Sequence, residues 1–163
     1  MDMGIRPIAS AADLATVRDL FSEYAASLET DLSFQGFDTE LANLPGAYVP
    51  PGGALLVADV AGQILGCIAL RPLEPPAVGE IKRLYVRPAG RGQGLGAALS
   101  RAVLECARAA GYVRVRLDTL PTMLAAQALY RELGFREIPP YRHNPVPGTR
   151  FMELDLSVPF RAA

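Results

Sequence analysis

The segment Val86-Arg87-Pro88-Ala89-Gly90-Arg91-Gly92-Gln93-Gly94-Leu95-Gly96-Ala97 constrains the fold more than any other part of the chain. It follows a β-rich run, Gly79 to Val86, and opens a run with Leu95, Leu99, Val103 and Ala107 at helical spacing. Four glycines fall within the seven residues from 90 to 96. Glycine loses more conformational freedom on ordering than any other residue, so such a cluster points to a close approach to the backbone. A turn that only reverses the chain rarely needs so many. A strand, a glycine loop and a helix start in series present unpaired N–H groups at the positive end of a helix dipole, which suits phosphate oxygens. Arg91 adds a cation. The sequence therefore predicts a diphosphate cradle.

The rest of the chain is read around this loop. Gly4 to Ala9 alternates as a short strand, and Ser10 with Asp13 reads as a helix cap. Leu14, Val17, Phe21, Tyr24 and Leu28 then form an amphipathic stripe, and 33–44 reads as a loop plus a short helix. Ala54 to Val60 and Gln63 to Leu70, joined by Ala61-Gly62, predict a hairpin, with a break from Pro72 to Pro76. Val113 to Leu117 reads as a strand, Met123 to Leu133 as a helix closed by Gly134, and Arg150 to Leu156 as a last strand. The order implies an α/β (α+β) fold, with a mixed, mostly antiparallel central sheet and helices on both faces. No repeat or linker divides the 163 residues, so one domain over 1–163 is expected.

Composition excludes several classes of function. Net charge is −1, which gives no general attraction to nucleic acid or an anionic membrane. The apolar runs, such as Ala54 to Ala58, are too short to span a bilayer, and Met1-Asp2-Met3-Gly4 lacks signal-peptide features. A cytoplasmic location is expected. Cys67 and Cys106 lie in apolar patterns without a CxxC partner, and His143 is the one histidine, so no metal centre is expected.

Gly92-x-Gly94-x-x-Ala97 also matches the dinucleotide fingerprint, with Asp118 near the position of a ribose-binding acid. Five residues separate the strand from the first glycine of that match, however, and a helix and a hairpin precede it. The order of elements argues against this reading. The absence of Gly-Lys-Ser/Thr excludes a P-loop.

Leu84-Tyr85-Val86-x-Pro88 followed by Arg91-Gly92-Gln93-Gly94-Leu95-Gly96 resembles the acetyl-CoA-binding motif of the GNAT superfamily of N-acetyltransferases. Ala126-Gln127-Ala128-Leu129-Tyr130-Arg131-Glu132-Leu133-Gly134-Phe135 resembles its second signature, A-x-x-L-Y-x-x-x-G-F. The resemblance covers essentially the whole chain and implies an acetyl-CoA-dependent acyltransferase. It implies that the backbone of Arg91, Gly92, Gln93, Gly94, Leu95, Gly96 and Ala97 holds the CoA diphosphate. It implies too that Leu84, Tyr85 and Val86 pair with the pantetheine arm like another strand, where the sheet splays. The family often carries Asn three residues before the Ala of the second motif; Met123 stands there, leaving backbone groups or Thr122 for that contact.

Acetyl transfer to an amine requires that an ammonium lose its proton, that a carbonyl be polarised and that a thiolate depart. Glu80, on the strand before the cradle, is the candidate base, its pKa raised by burial if it faces the cleft; the alternatives are water and a strand glutamate paired with Lys82. Tyr130, at the Tyr of the second motif, is the candidate acid or hydrogen-bond donor to sulfur, against a core tyrosine beneath Phe135. A backbone N–H on the splayed strand supplies the oxyanion hole. Lys82, Arg83, Arg87 and Arg91 form a local basic patch that suits the phosphates of CoA, although strand alternation sends Lys82 and Arg83 to opposite faces. Candidates for the amine pocket are Tyr24, Phe34 and Phe37 from the early helices and Tyr141, His143 and Asn144 from the late proline-rich loop. The expected partners are acetyl-CoA and a small-molecule amine, with a protein amine and a homodimer left open. The competing functions are a non-catalytic acyl-CoA-binding or regulatory module and a dinucleotide-binding oxidoreductase.

Overall fold

The computed structural model describes residues 3–28 and 36–157. Among them, the elements run β1 (Met3–Pro7), α1 (Ala11–Ser27), α2 (Phe37–Ala42), β2 (Ala54–Val60), β3 (Gln63–Glu74), β4 (Val78–Val86), α3 (Leu95–Ala109), β5 (Arg114–Thr119), α4 (Leu124–Glu132), β6 (Arg136–Ile138) and β7 (Arg150–Asp155). The strands form one sheet in the order β1-β2-β3-β4-β5-β7-β6. Every neighbouring pair is antiparallel except β4 and β5. A single parallel pair is too little for a doubly wound dinucleotide fold, which removes that competitor.

Local chemistry explains the boundaries. Ser10 caps α1 by accepting from the Asp13 N–H at 3.1 Å. Ala61 and Gly62 both take positive φ, 52° and 86°, the geometry of a two-residue hairpin turn. The expected break at Pro72 is not seen, because β3 continues to Glu74. Its pairing with β2 stops at Leu70, so Pro72 lies where one side of β3 is already an edge and needs no N–H donor.

Both faces of the sheet are covered. Leu99, Val103 and Leu104 of α3 pack with Ile68, Leu70 and Met152 on one side. Val17, Leu20 and Phe21 of α1 pack with Val57, Cys67 and Ala69 on the other. Alternation in β2 feeds both, with Leu56 and Ala58 in the first core and Leu55 and Val57 in the second.

Two features open the middle of this sheet. The parallel ladder of β4 and β5 joins only Val78, Gly79 and Glu80 to Arg114, Val115 and Arg116. Opposite β3, Cys67 pairs with Tyr85 and Ala69 with Lys82, so Arg83 and Leu84 together face Ile68. This is a β-bulge, and Arg83 enters it at φ 61°. Bulges bend a strand and increase its twist. Beyond Glu80 the two strands diverge, and a cleft lies between them.

Candidate active site

The glycine loop ends at α3 in the predicted form. Gly94 is the N-cap, at φ 76°, and no side chain caps the helix. The first intrahelical bond runs from Ala98 N–H to the Gly94 carbonyl, which leaves the donors of Leu95, Gly96 and Ala97 without an intrahelical acceptor. Gly92 takes φ 78°, and a Cβ on Gly92 or Gly94 would meet nothing within 4 Å. Open space therefore lies before the free donors. Arg91 Nε and Gln93 Nε2 each donate at 3.1 Å to carbonyls of Val86 and Ala89, so both side chains brace the loop.

Part of the predicted basic patch has structural work elsewhere. Arg87 pairs with Glu23 of α1 at 2.8 Å. The bulge overturns the alternation expected of Lys82 and Arg83, since an extra residue is inserted directly after Lys82. Arg83 is buried, pairs with Glu40 at 2.8 Å and lies 5.1 Å from the centre of the Phe37 ring.

The cleft is walled by Ile81 to Leu84 of β4 and Leu117 to Thr119 of β5. Tyr24 of α1, Met123 and Tyr130 of α4, and Asn144 close it. Of the residues expected at the amine pocket, Tyr24 and Asn144 line the cleft. Phe37 instead packs beneath Arg83, Tyr141 bonds to Glu80, and His143 is exposed and outside the lining. Phe34 lies outside the described residues.

Tyr130 is 5 % exposed, with its ring 5.5 Å from that of Phe135. It is thus both core and cleft. Burial, with the charge of Asp118 adding to it, holds its phenol above the ordinary range, so the group stays an O–H donor.

Glu80 departs from expectation. Its side chain is fully buried, but its pKa is lowered. Burial does push the carboxyl up. The Arg142 hydrogen bond, the Lys82 charge and the Tyr141 hydroxyl together outweigh it. Oε1 accepts from Arg71 at 2.8 Å, and Oε2 accepts from Tyr141 at 2.6 Å and from Arg142. A carboxylate held by three donors keeps its charge and is a poor proton acceptor. Replacing it with glutamine leaves two guanidinium groups without their anion, and Glu80→Gln is expected to cost about 3 kcal/mol. The folded pKa lies below the ordinary 4.5, so the stabilisation is complete above that pH and is lost as pH falls through the folded value. Urea midpoints at neutral and acidic pH should converge for the variant and the wild type as acid is added.

Three groups that sequence reasoning did not place in the cleft line it. Asp118 Oδ2 and Thr119 Oγ1 are buried and have no hydrogen-bond partner among the described residues. The Asp118 charge acts on Tyr24, Lys82, Tyr130, Tyr141 and Arg142. Lys82, on the opposite wall, is 9 % exposed. Burial and the Arg83 charge bring its pKa down to about 8, against the opposing pull of Glu80 and Asp118. An acidic residue ending a strand was the available signal for Asp118, and it had been spent on a ribose.

Residues 14–135 match the acetyltransferase (GNAT) family. An uncharacterised N-acetyltransferase of Schizosaccharomyces pombe is 41% identical over 157 residues, covering 96% of each chain. Human N-acetylaspartate synthetase is 37% identical over 111 residues, which are 68% of this chain but 37% of that protein. A Salmonella typhimurium structure described with its cofactor acetyl-CoA superimposes with a TM-score of 0.72 at 24% identity, covering 100% of this chain and 98% of the other.

Proposed function

The chain belongs to the acetyltransferase (GNAT) family, and from that premise we propose that its acetyl-CoA-dependent N-acetyl transfer goes directly to a small-molecule amine held between β4 and β5. The observation that carries this reading is the register of β4. Its ladder with β5 ends at Glu80, yet the strand continues to Val86 and runs through the glycine loop into α3. Leu84, Tyr85 and Val86 therefore keep one edge of backbone donors and acceptors that β5 does not use.

The residues fit acetyl-CoA. The edge of β4 that β5 leaves open, apart from the Val86 carbonyl that accepts from Arg91, suits the amides of the pantetheine arm, as an exposed strand edge suits an added strand. The donors of Leu95, Gly96 and Ala97 and the open face above Gly92 and Gly94 suit the diphosphate. A thioester held along β4 points its acyl end into the cleft, where a backbone N–H of the unpaired strand polarises the carbonyl. Tyr130 donates a hydrogen bond to the departing sulfur. Glu80 holds the late loop to the sheet through Tyr141 and Arg142, which gives it a positioning role in place of the base role. The human relative is named for an acetylated small molecule, which supports a small acceptor over a protein one.

The test has two parts. Acetyl-CoA at a hundred times its dissociation constant should stabilise the protein by about 2.7 kcal/mol in thermal unfolding, and NAD should leave it unchanged. Thiol release over a panel of amines should then show turnover. Binding without turnover on any amine would point to the non-catalytic module.

A further inference from the structure

We propose that Asp118 of β5 anchors the acceptor as a primary ammonium on the α1 face of the cleft and takes its proton. This rests on the cleft being the acetyl-transfer site. Asp118 lines the cleft, and its Oδ2 is buried with no hydrogen-bond partner among the described residues. Its charge acts on Tyr24, Lys82, Tyr130, Tyr141 and Arg142, yet none of them donates to that oxygen. Glu80 is the contrast, since Arg71, Tyr141 and Arg142 occupy both of its oxygens. A buried carboxylate oxygen is costly unless a donor arrives, and an ammonium supplies three donors with the opposite charge.

Strand alternation fixes the side from which that donor comes. The ladder of β5 with β7 runs without a shift from Arg114 to Thr119, so successive side chains take opposite faces. Leu117 lies in the core shared by α3 and Tyr130, which puts Thr119 on that face and Asp118 on the face of α1. Tyr24, the α1 residue in the cleft lining, belongs to the core of that second face. The glycine loop opens α3, so acetyl-CoA reaches the cleft along the first face, where Tyr130 and the buried, unpartnered Thr119 Oγ1 stand. A nitrogen held by Asp118 meets the thioester from the α1 face, and the sulfur stays with Tyr130 on the other.

The same placement supplies the proton acceptor that Glu80 does not. Asp118 takes one proton from the ammonium, which turns an ion pair into two neutral groups, the form that a desolvated site favours. The freed lone pair attacks the thioester carbonyl carbon. The N–C bond forms and the C–S bond breaks. The second nitrogen proton passes to the departing thiolate, with Tyr130 hydrogen-bonded to the sulfur. Asp118 returns its proton to solvent, so the sum is an amide, a thiol and one proton.

The experiment starts from the amine turned over fastest in a panel of primary amines that includes the common amino acids. Titrated into the complex of wild-type enzyme with CoA, that amine should bind about 30-fold or more tightly than the alcohol of the same skeleton, which lacks the positive charge. Asp118→Asn should lower kcat by about 10²-fold, with acetyl-CoA affinity retained as evidence of folding. Asp118→Ala should lose at least as much, and sodium formate should restore its rate saturably by about tenfold or more, as an external carboxylate takes the vacated place. Sodium chloride at equal ionic strength should restore nothing. Equal affinity for amine and alcohol would overturn the proposal from the wild type alone. A rate near normal in Asp118→Asn, no gain from formate in Asp118→Ala, or an equal gain from chloride would overturn it too. Failure of the wild type to bind acetyl-CoA, or to turn over any amine, would instead remove the reading of the cleft itself.

Discussion

Gly94→Val is expected to raise the dissociation constant for acetyl-CoA by about 10²-fold or more. Two physical effects combine. A β-branched residue at φ 76° sits in the left-handed region, so the N-cap must shift and take the first-turn donors with it. The added side chain also projects into the open space before those donors, where nothing now lies within 4 Å. A hydrogen bond to a charged group is worth about 1.5–3 kcal/mol, and losing two of them accounts for a change of that size. Strain and cradle loss can be separated on the same helix. Gly111, just beyond the far end of α3, has φ 87° and equally open surroundings. Gly111→Val should lower the melting temperature by a few degrees, roughly as Gly94→Val does, yet bind acetyl-CoA normally. Isothermal titration of both variants decides the matter. Wild-type affinity in Gly94→Val would mean that the diphosphate sits elsewhere.

The cradle was legible because its signals are local. Each glycine acts on its own φ, and a helix start leaves its first donors unsatisfied whatever surrounds it. The same holds for Ser10 and for the run Ala54 to Val60, whose observed limits match those read from its β-rich residues and the Ala61-Gly62 turn. The cleft is a different case. Its position depends on where the β4–β5 ladder stops and on a bulge at Arg83, and arginine gives no hint of a left-handed conformation. Glu80 shows the consequence most clearly. Its burial was foreseeable from the strand, and burial alone raises a carboxyl. Lys82 is near in sequence, but the other two groups that reverse the sign lie 61 and 62 residues away, at Tyr141 and Arg142, in a loop whose path no periodicity reveals. β6 was missed for a simpler reason, since three residues carry no usable alternation.

Tyr130→Phe is expected to lower kcat by about 10²-fold and leave acetyl-CoA affinity unchanged. The contrast with stability makes this test sharp. The Tyr130 hydroxyl makes no hydrogen bond among the described residues, so its removal deprives no buried partner, and the melting temperature should hold or rise slightly. A purely structural tyrosine beneath Phe135 would show neither the kinetic loss nor any other effect of losing one oxygen. The pKa direction also fixes what the hydroxyl can do. A free thiol titrates near 8.5 and an ordinary phenol near 10, so even an unshifted tyrosine gives its proton to a thiolate uphill by about 2 kcal/mol. Burial and Asp118 raise the phenol further and steepen that climb. Hydrogen-bond donation to the growing charge on sulfur has no such penalty and strengthens as the C–S bond stretches. The kcat profile should therefore lack a falling limb from Tyr130 up to about pH 10, because the donor keeps its proton throughout. A Tyr130-dependent fall between pH 7 and 9 would show that the phenol ionises in that range, contrary to its burial.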